Sequence, residues 1–168
     1  MTYEFVPQFI KMLNNLSAIL DKAQAFADQK KFDTAALLTD RLAIDQFNFT
    51  RQIQATCDMA KAYASKLTGK EAPKHEDKET TLPELQQRIR STIQFLQTIK
   101  AEDFKGWETR QVTNPRREGK FLPGEEYAMQ QAIPNFYFHL TTAYSILRHR
   151  GLDIGKKDFL GELKYRDL

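Results

Sequence analysis

Apolar residues recur at three- and four-residue spacing over four long stretches of the chain. In the first, about residues 4 to 29, Val6, Phe9, Ile10, Leu13, Leu16, Leu20, Ala23 and Ala27 form one stripe, the period of an amphipathic helix. Pro7 fits its first turn, where a missing N–H removes no helical bond. A short helix is predicted at about Thr34 to Leu38, with Asp33 as its cap. The second long helix spans about Phe47 to Leu67, striped by Phe49, Ile53, Cys57, Ala60, Ala64 and Leu67, with Gly69 just beyond its end. The third has a definite start: Thr81 stands three residues before Glu84, a capping box. Leu85, Ile89, Thr92, Leu96 and Ile99 then line one face, and the helix is expected to end near Lys100. The fourth covers about Gly124 to Arg150 and stops at Gly151. Pro134 lies inside it, removing one backbone bond and clashing with the preceding turn, so a kink or break is expected there.

Between these stripes the pattern changes. "KEAPKHEDKETT" has no apolar anchor and reads as a solvated loop, with His75 a solvated surface residue. Residues 101 to 123 contain Asn-Pro, a glycine and short β-like pieces around Val112 and Phe121. They predict a small two-stranded hairpin with Arg116 to Gly119 at its tip. Arg110, Arg116, Arg117 and Lys120 make this excursion basic; it either meets an anion or is simply solvated. Phe159 and Leu160 predict that part of the C-terminal tail docks back on the helices. The fold class is therefore all-α: a four-helix bundle with a hairpin-like excursion between helices 3 and 4, in a single domain over residues 1–168.

Composition narrows the function classes. The chain has 168 residues, 41% hydrophobic and 28% charged, ordinary for one globular domain. A net charge of +3 lacks the dense basic face of a dedicated nucleic-acid binder. Cys57 is the single cysteine, so no intrachain disulfide or CxxC metal site exists. Its place on a helical stripe implies a buried, inert thiol. The N-terminal residues have no basic n-region or small-residue cleavage site. No apolar run approaches the roughly 18 residues of a membrane span. A cytoplasmic location is expected, with neither nucleic acid nor membrane as partner. No Gly-rich phosphate loop, GxSxG, HExxH or paired-carboxylate pattern is present.

"NFYFHLTTAYSILRHRG", ending at Gly151, "RQIQATCDMAKAYASKLTG" in the second helix and "GKKDFLG" in the tail resemble a bacterial domain-of-unknown-function family. That family is grouped with the DinB/YfiT-like four-helix metalloenzymes, and the resemblance covers nearly the whole chain. It implies the bundle fold. It also implies a metal set of three histidines: one from helix 2 and an HxxxH pair on a later helix, followed by an "LRxxG"-like turn. "LRHRG", Leu147 to Gly151, matches that turn, which puts His139 on the second histidine of the pair and Asn135 on the first. Residues 1 to 74 contain no histidine; the polar side chains of helix 2 nearest this position are Gln52, Gln54, Cys57 and Asp58. Asn is a weak neutral donor for zinc or nickel, so the metal site reads as degraded. No metal or other cofactor is assigned.

Three functional readings follow. The first is a DinB-like bundle that binds a small ligand in the bundle centre, with His139, Asn135, Gln54 and Asp58 as ligand-binding candidates. The second is a metal-dependent enzyme of thiol or transferase type, its site rebuilt from His139, Asp58 and Cys57. The third is a structural homodimer, and dimerisation is expected in any case. His139 itself, among Phe136, Tyr137, Phe138 and Leu140, either packs as a hydrogen-bonded core group or lines a pocket.

Overall fold

The computed structural model describes residues 2–167; Met1 and Leu168, the two ends of the expected domain, lie outside them. Four long helices form the body: α1 (Phe5–Lys30), α3 (Phe49–Thr68), α4 (Leu82–Gln97) and α6 (Ile133–His149). A short α2 (Ala35–Leu38) leads into α3, and α7 (Lys156–Leu160) closes the chain. Helix α4 packs against both α1 and α3, and α6 packs along α3. The stripes read from sequence meet in one core. Phe9 is central to it, with its ring 4.3 Å from that of Phe136 and edge-on to Tyr63 at 5.1 Å. Burying each such side chain stabilises the fold by about 1.5–3 kcal/mol. Among the described residues no helix is long and apolar enough to cross a membrane.

Local chemistry sets most helix ends. Helix α3 begins at Phe49, two residues after the expected Phe47, and Asn48 caps it, its side chain accepting from the Arg51 N–H at 3.0 Å. Gly69 ends that helix at φ +81°, a left-handed conformation that favours glycine. Thr81 and Glu84 form the expected reciprocal box on α4. That helix stops at Gln97, short of Lys100, and a 3₁₀ turn, Ala101–Phe104, takes over.

The hairpin is present. Strands β1 (Gln111–Thr113) and β2 (Phe121–Pro123) pair antiparallel, with Val112 opposite Leu122. Helix α5 (Gly124–Glu126) follows, passing into a π-helical stretch, Tyr127–Ala132, and then α6. The interruption expected near Pro134 takes the form of a π turn: the regular α-helix gives way over Tyr127–Ala132, immediately before the proline, and α6 begins at Ile133. Pro134 cannot donate to the Gln130 carbonyl, and its ring would crowd that carbonyl in an α-helix. An i→i+5 turn there relieves both conflicts. At the junction, a Cβ on Gly124 would lie 1.8 Å from the Trp107 carbonyl oxygen, so the close approach of the two backbones requires glycine. The tail docks as expected, with the Phe159 ring edge-on to Tyr144 at 5.6 Å and its carbonyl accepting from Asn15 at 2.9 Å.

The loop from Gly69 to Thr80 departs from the solvated reading. Ala72 packs against the core. His75 is half-buried and held at both ring nitrogens, by Lys61 Nζ at 2.8 Å and Ser91 Oγ at 3.1 Å. The physical reason is a set of cations on α3 and α4, described next, that draws the acidic loop down.

Candidate functional site

Three polar features rise from this frame. The first lies on the α3–α6 seam. Gln52 is buried and donates from Nε2 to the Phe47 carbonyl at 3.1 Å, which orients its amide. Its Oε1 then accepts from His139 Nδ1–H at 2.7 Å, which leaves the neutral ring's lone pair on Nε2. Burial lowers the His139 pKa, and the Arg51 charge lowers it further, so this imidazole is neutral at physiological pH. Phe47 stacks on it at 6.1 Å and 15°, and Phe138 meets it edge-on at 5.2 Å. Asn135, one turn earlier on the same helix face, is half-buried, and its side chain has no hydrogen-bond partner among the described residues.

The second feature is an ion network on the other side of α3. The Arg88 side chain of α4 is 1% exposed and reaches Asp58 at 2.7 Å, Asp77 at 2.7 Å and Glu79 at 2.9 Å. Arg51 holds Asp77 at 2.6 Å, and Gln54 donates to Glu79 at 2.9 Å. Lys61, also buried, contacts Asp58 at 3.2 Å and the Pro73 carbonyl at 3.1 Å. Burial alone would push the Asp77 and Glu79 carboxyls up, but the guanidinium of Arg88 outweighs it and holds both below their ordinary values. Since Lys61 donates to His75 Nδ1, that histidine donates from Nε2–H to Ser91; burial and the Lys61 charge keep it neutral. Three carboxylates face three cations. This network clamps the 69–80 loop onto α3 and α4.

The nominated residues therefore separate. His139 and Asn135 lie on α6 beside α3, whereas Gln54 and Asp58 belong to the clamp and do not meet His139. Asp58 is ion-paired with Arg88 and Lys61. The glutamine that does meet His139 is Gln52. The stripe did not single it out: Gln52 and Gln54 stand about 200° apart on α3, one on each edge of the apolar stripe, and both are buried.

The resemblance implies a metal on three histidines. The side chains at that position do not fit one: Gln52 and Asn135 are neutral amides, weak donors to zinc or nickel, and His139 supplies one imidazole. The rebuilt set does not assemble either. Cys57 lies against Thr92 of α4, its thiol pushed up to about 12 by burial, and Asp58 is held by Arg88 and Lys61. Among the described residues no three His, Cys, Asp or Glu side chains gather as a metal set.

The third feature is a chamber of about 450 Å³ between the hairpin, the end of α3 and the π turn. Val112 and Leu122 supply apolar wall, and Tyr127 and Gln131 project from the π turn. Lys66 lies 5.3 Å above the Tyr127 ring and donates to the Thr113 carbonyl at 3.2 Å. Burial lowers the Lys66 pKa and pushes the Tyr127 phenol up to about 12. Arg117 and Lys120 stand at the rim. Gln52 and Lys66 are nearly four turns apart on α3, about 21 Å along its axis, so the chamber and His139 are separate places. The basic hairpin that supplies most of the lining was legible in the sequence, whereas Lys66, which closes the chamber from α3, was not.

A family described as a domain of unknown function (DUF1993) matches residues 1–160. The fold is also that of a DinB family member protein from Shewanella denitrificans with a known crystal structure. The two chains are 54% identical, with a TM-score of 0.93 over 97% of this chain and 93% of that one. No curated protein matches the chain.

Proposed function

The chain belongs to the DUF1993 family and has the DinB-like bundle, and on that premise we propose that it is a single-domain protein that binds a small molecule in the chamber beneath the β1–β2 hairpin. The observation that carries this is the chamber's size and lining: about 450 Å³, within the roughly 300–1,000 Å³ of small-molecule sites, with apolar walls and a few convergent polar groups. The seam around His139 supports a packing role instead, because Gln52 already engages its Nδ1–H. Reading the ligand site at the hairpin moves it away from the bundle centre. The test is ligand-detected NMR with a fragment library on the wild type and on Gln131→Trp, whose indole would fill the chamber. Fragments bound by the wild type and lost in the variant support the reading; fragments bound equally by both reject it.

A second reading, a homodimer, is favoured by the apolar surface around His139. Phe47 and Phe138 are each about half exposed, and Ile44, on the segment leading to Phe47, is 92% exposed. Such side chains are the material of an interface. A thermal melt that falls on dilution supports the dimer, and a melt independent of concentration rejects it.

A further inference from the structure

We infer that the hairpin chamber selects molecules that join a carboxylate or comparable small anionic group to an apolar body. This inference rests on the chamber being a ligand site and adds the ligand's class. Three cations, Lys66, Arg117 and Lys120, line the chamber, and no Asp or Glu lines it. Elsewhere in the molecule several partly buried cations have carboxylate partners: Arg88 has three, Lys61 has Asp58, Arg51 has Asp77, and Lys70 has Asp103 at 2.5 Å. Among the described residues Lys66 has none; Lys11, which donates to the Glu162 carbonyl, and Arg110 share that lack, but neither lines the chamber. The Lys66 ammonium has only neutral partners, the Thr113 carbonyl and the Tyr127 ring. Arg117 and Lys120 make no ion pair among the described residues. A partly buried ammonium without a counter-charge costs free energy that a bound anion would recover.

The hydrogen-bond inventory points the same way. Tyr127 is 2% exposed, and its hydroxyl has no hydrogen-bond partner among the described residues. Its oxygen is not sealed from solvent, so it opens onto the chamber that Tyr127 lines, where it can donate to an anionic oxygen, a strong acceptor. Val112 and Leu122 set the opposite demand, because they can gain only from apolar contact. Phe121, half exposed at the rim, extends that apolar surface outward. The arrangement thus asks for an anionic head near Lys66 and Tyr127 and an apolar body along the hairpin.

The probes are 4-phenylbutyrate and 4-phenylbutan-1-ol, which share shape and differ in charge. Calorimetric titration of the full chain at low salt should show the acid binding about tenfold tighter, the scale of one charge-assisted hydrogen bond. That preference should shrink at about 1 M salt, where the screening length falls to about 3 Å. It should also shrink several-fold in Arg117→Gln/Lys120→Gln, two exposed positions whose replacement leaves the core intact. Equal affinities for acid and alcohol would overturn the anionic class and leave the chamber standing. An acid preference unchanged both in the double variant and in Lys66→Gln would place the anion elsewhere and overturn the inference. If neither probe bound, the class would fall; the Gln131→Trp comparison would still judge the chamber on its own.

Discussion

Replacing Arg88 with methionine tests the ion clamp most directly. Methionine keeps an unbranched apolar stem in a site where the arginine side chain is 1% exposed, so packing changes little. The electrostatic change is large. Glu79, 13% exposed, keeps only neutral partners, Gln54 and its own backbone N–H, and a buried carboxylate left without its cation costs about 3–5 kcal/mol. Asp58 and Asp77 are 31% and 38% exposed and retain Lys61 and Arg51, so they rehydrate and add little. A net loss of about 3 kcal/mol follows. A chain of 168 residues loses about 2–4 °C of Tm per kcal/mol, so Tm should fall by about 6–12 °C. Urea unfolding at several pH values identifies the origin. Asp77 and Glu79 are held below their ordinary values of 3.8 and 4.5. A depressed carboxyl contributes stability above its unfolded pKa and loses it as pH falls through the folded one. The gap between wild type and variant should therefore be full above about pH 5 and close progressively below about pH 4. A gap unchanged at about pH 3, or one under about 1 kcal/mol at neutral pH, would show that the clamp behaves as a surface ion pair and refute the reasoning.

Two further outcomes are expected. Gly124→Ala forces a Cβ to 1.8 Å from the Trp107 carbonyl oxygen, a backbone atom that cannot swing aside. It should cost about 1–3 kcal/mol or more in urea melts followed by the fluorescence of Trp107. Gly155→Ala, with nothing within 4 Å of the added carbon, is the near-neutral control. Cys57 is fully buried, with its thiol pushed up to about 12, so a disulfide reagent should label it only through unfolding, at a rate that rises with denaturant. Stoichiometric labelling within minutes in native buffer would contradict that placement.

What was legible in the sequence was local or periodic. The α1, α3 and α4 stripes, the Thr81–Glu84 box, Gly69 and the hairpin with strands around Val112 and Phe121 all follow from short-range rules. Features that depend on a partner from another element were not. Loop 69–80 has the composition of a solvated segment, and nothing inside it says that Arg88 lies beneath. The clue was on α4, where Arg88 stands between Leu85 and Ile89 on an otherwise apolar stripe; a charge there requires counter-charges from elsewhere. Pro134 announced a lost hydrogen bond but not its remedy, because the π turn also depends on how Tyr127 and Ala132 seat in the core. The likeness to DinB proteins located His139, while its partner was set by the phase of α3 in the folded chain, which brings Gln52 and not Gln54, two residues and about 200° away, to the α6 seam.

That phase permits a constructive test. If Gln52 and Asn135 occupy the places of the missing histidines, Gln52→His/Asn135→His should create a metal set with His139. Two of the three side chains already face each other, with 2.7 Å between His139 Nδ1 and Gln52 Oε1. Two imidazole nitrogens on one tetrahedral zinc stand about 3.3 Å apart, given Zn–N bonds of about 2.0–2.1 Å, so the seam needs to open by only about half an ångström. Position 135 lies one turn before His139, the spacing at which two helical side chains share a face. The double variant should retain about one zinc or nickel per chain after dialysis, measured by elemental mass spectrometry, and should lose it again on His139→Ala. Added metal should also raise its Tm, since an ion that binds only the folded chain stabilises it. The wild type, with its two amides, sets the baseline for both readouts. If the double variant folds and yet retains no more metal than the wild type, Gln52 and Asn135 are not the places of the lost ligands, and the residue-by-residue alignment through His139 is wrong.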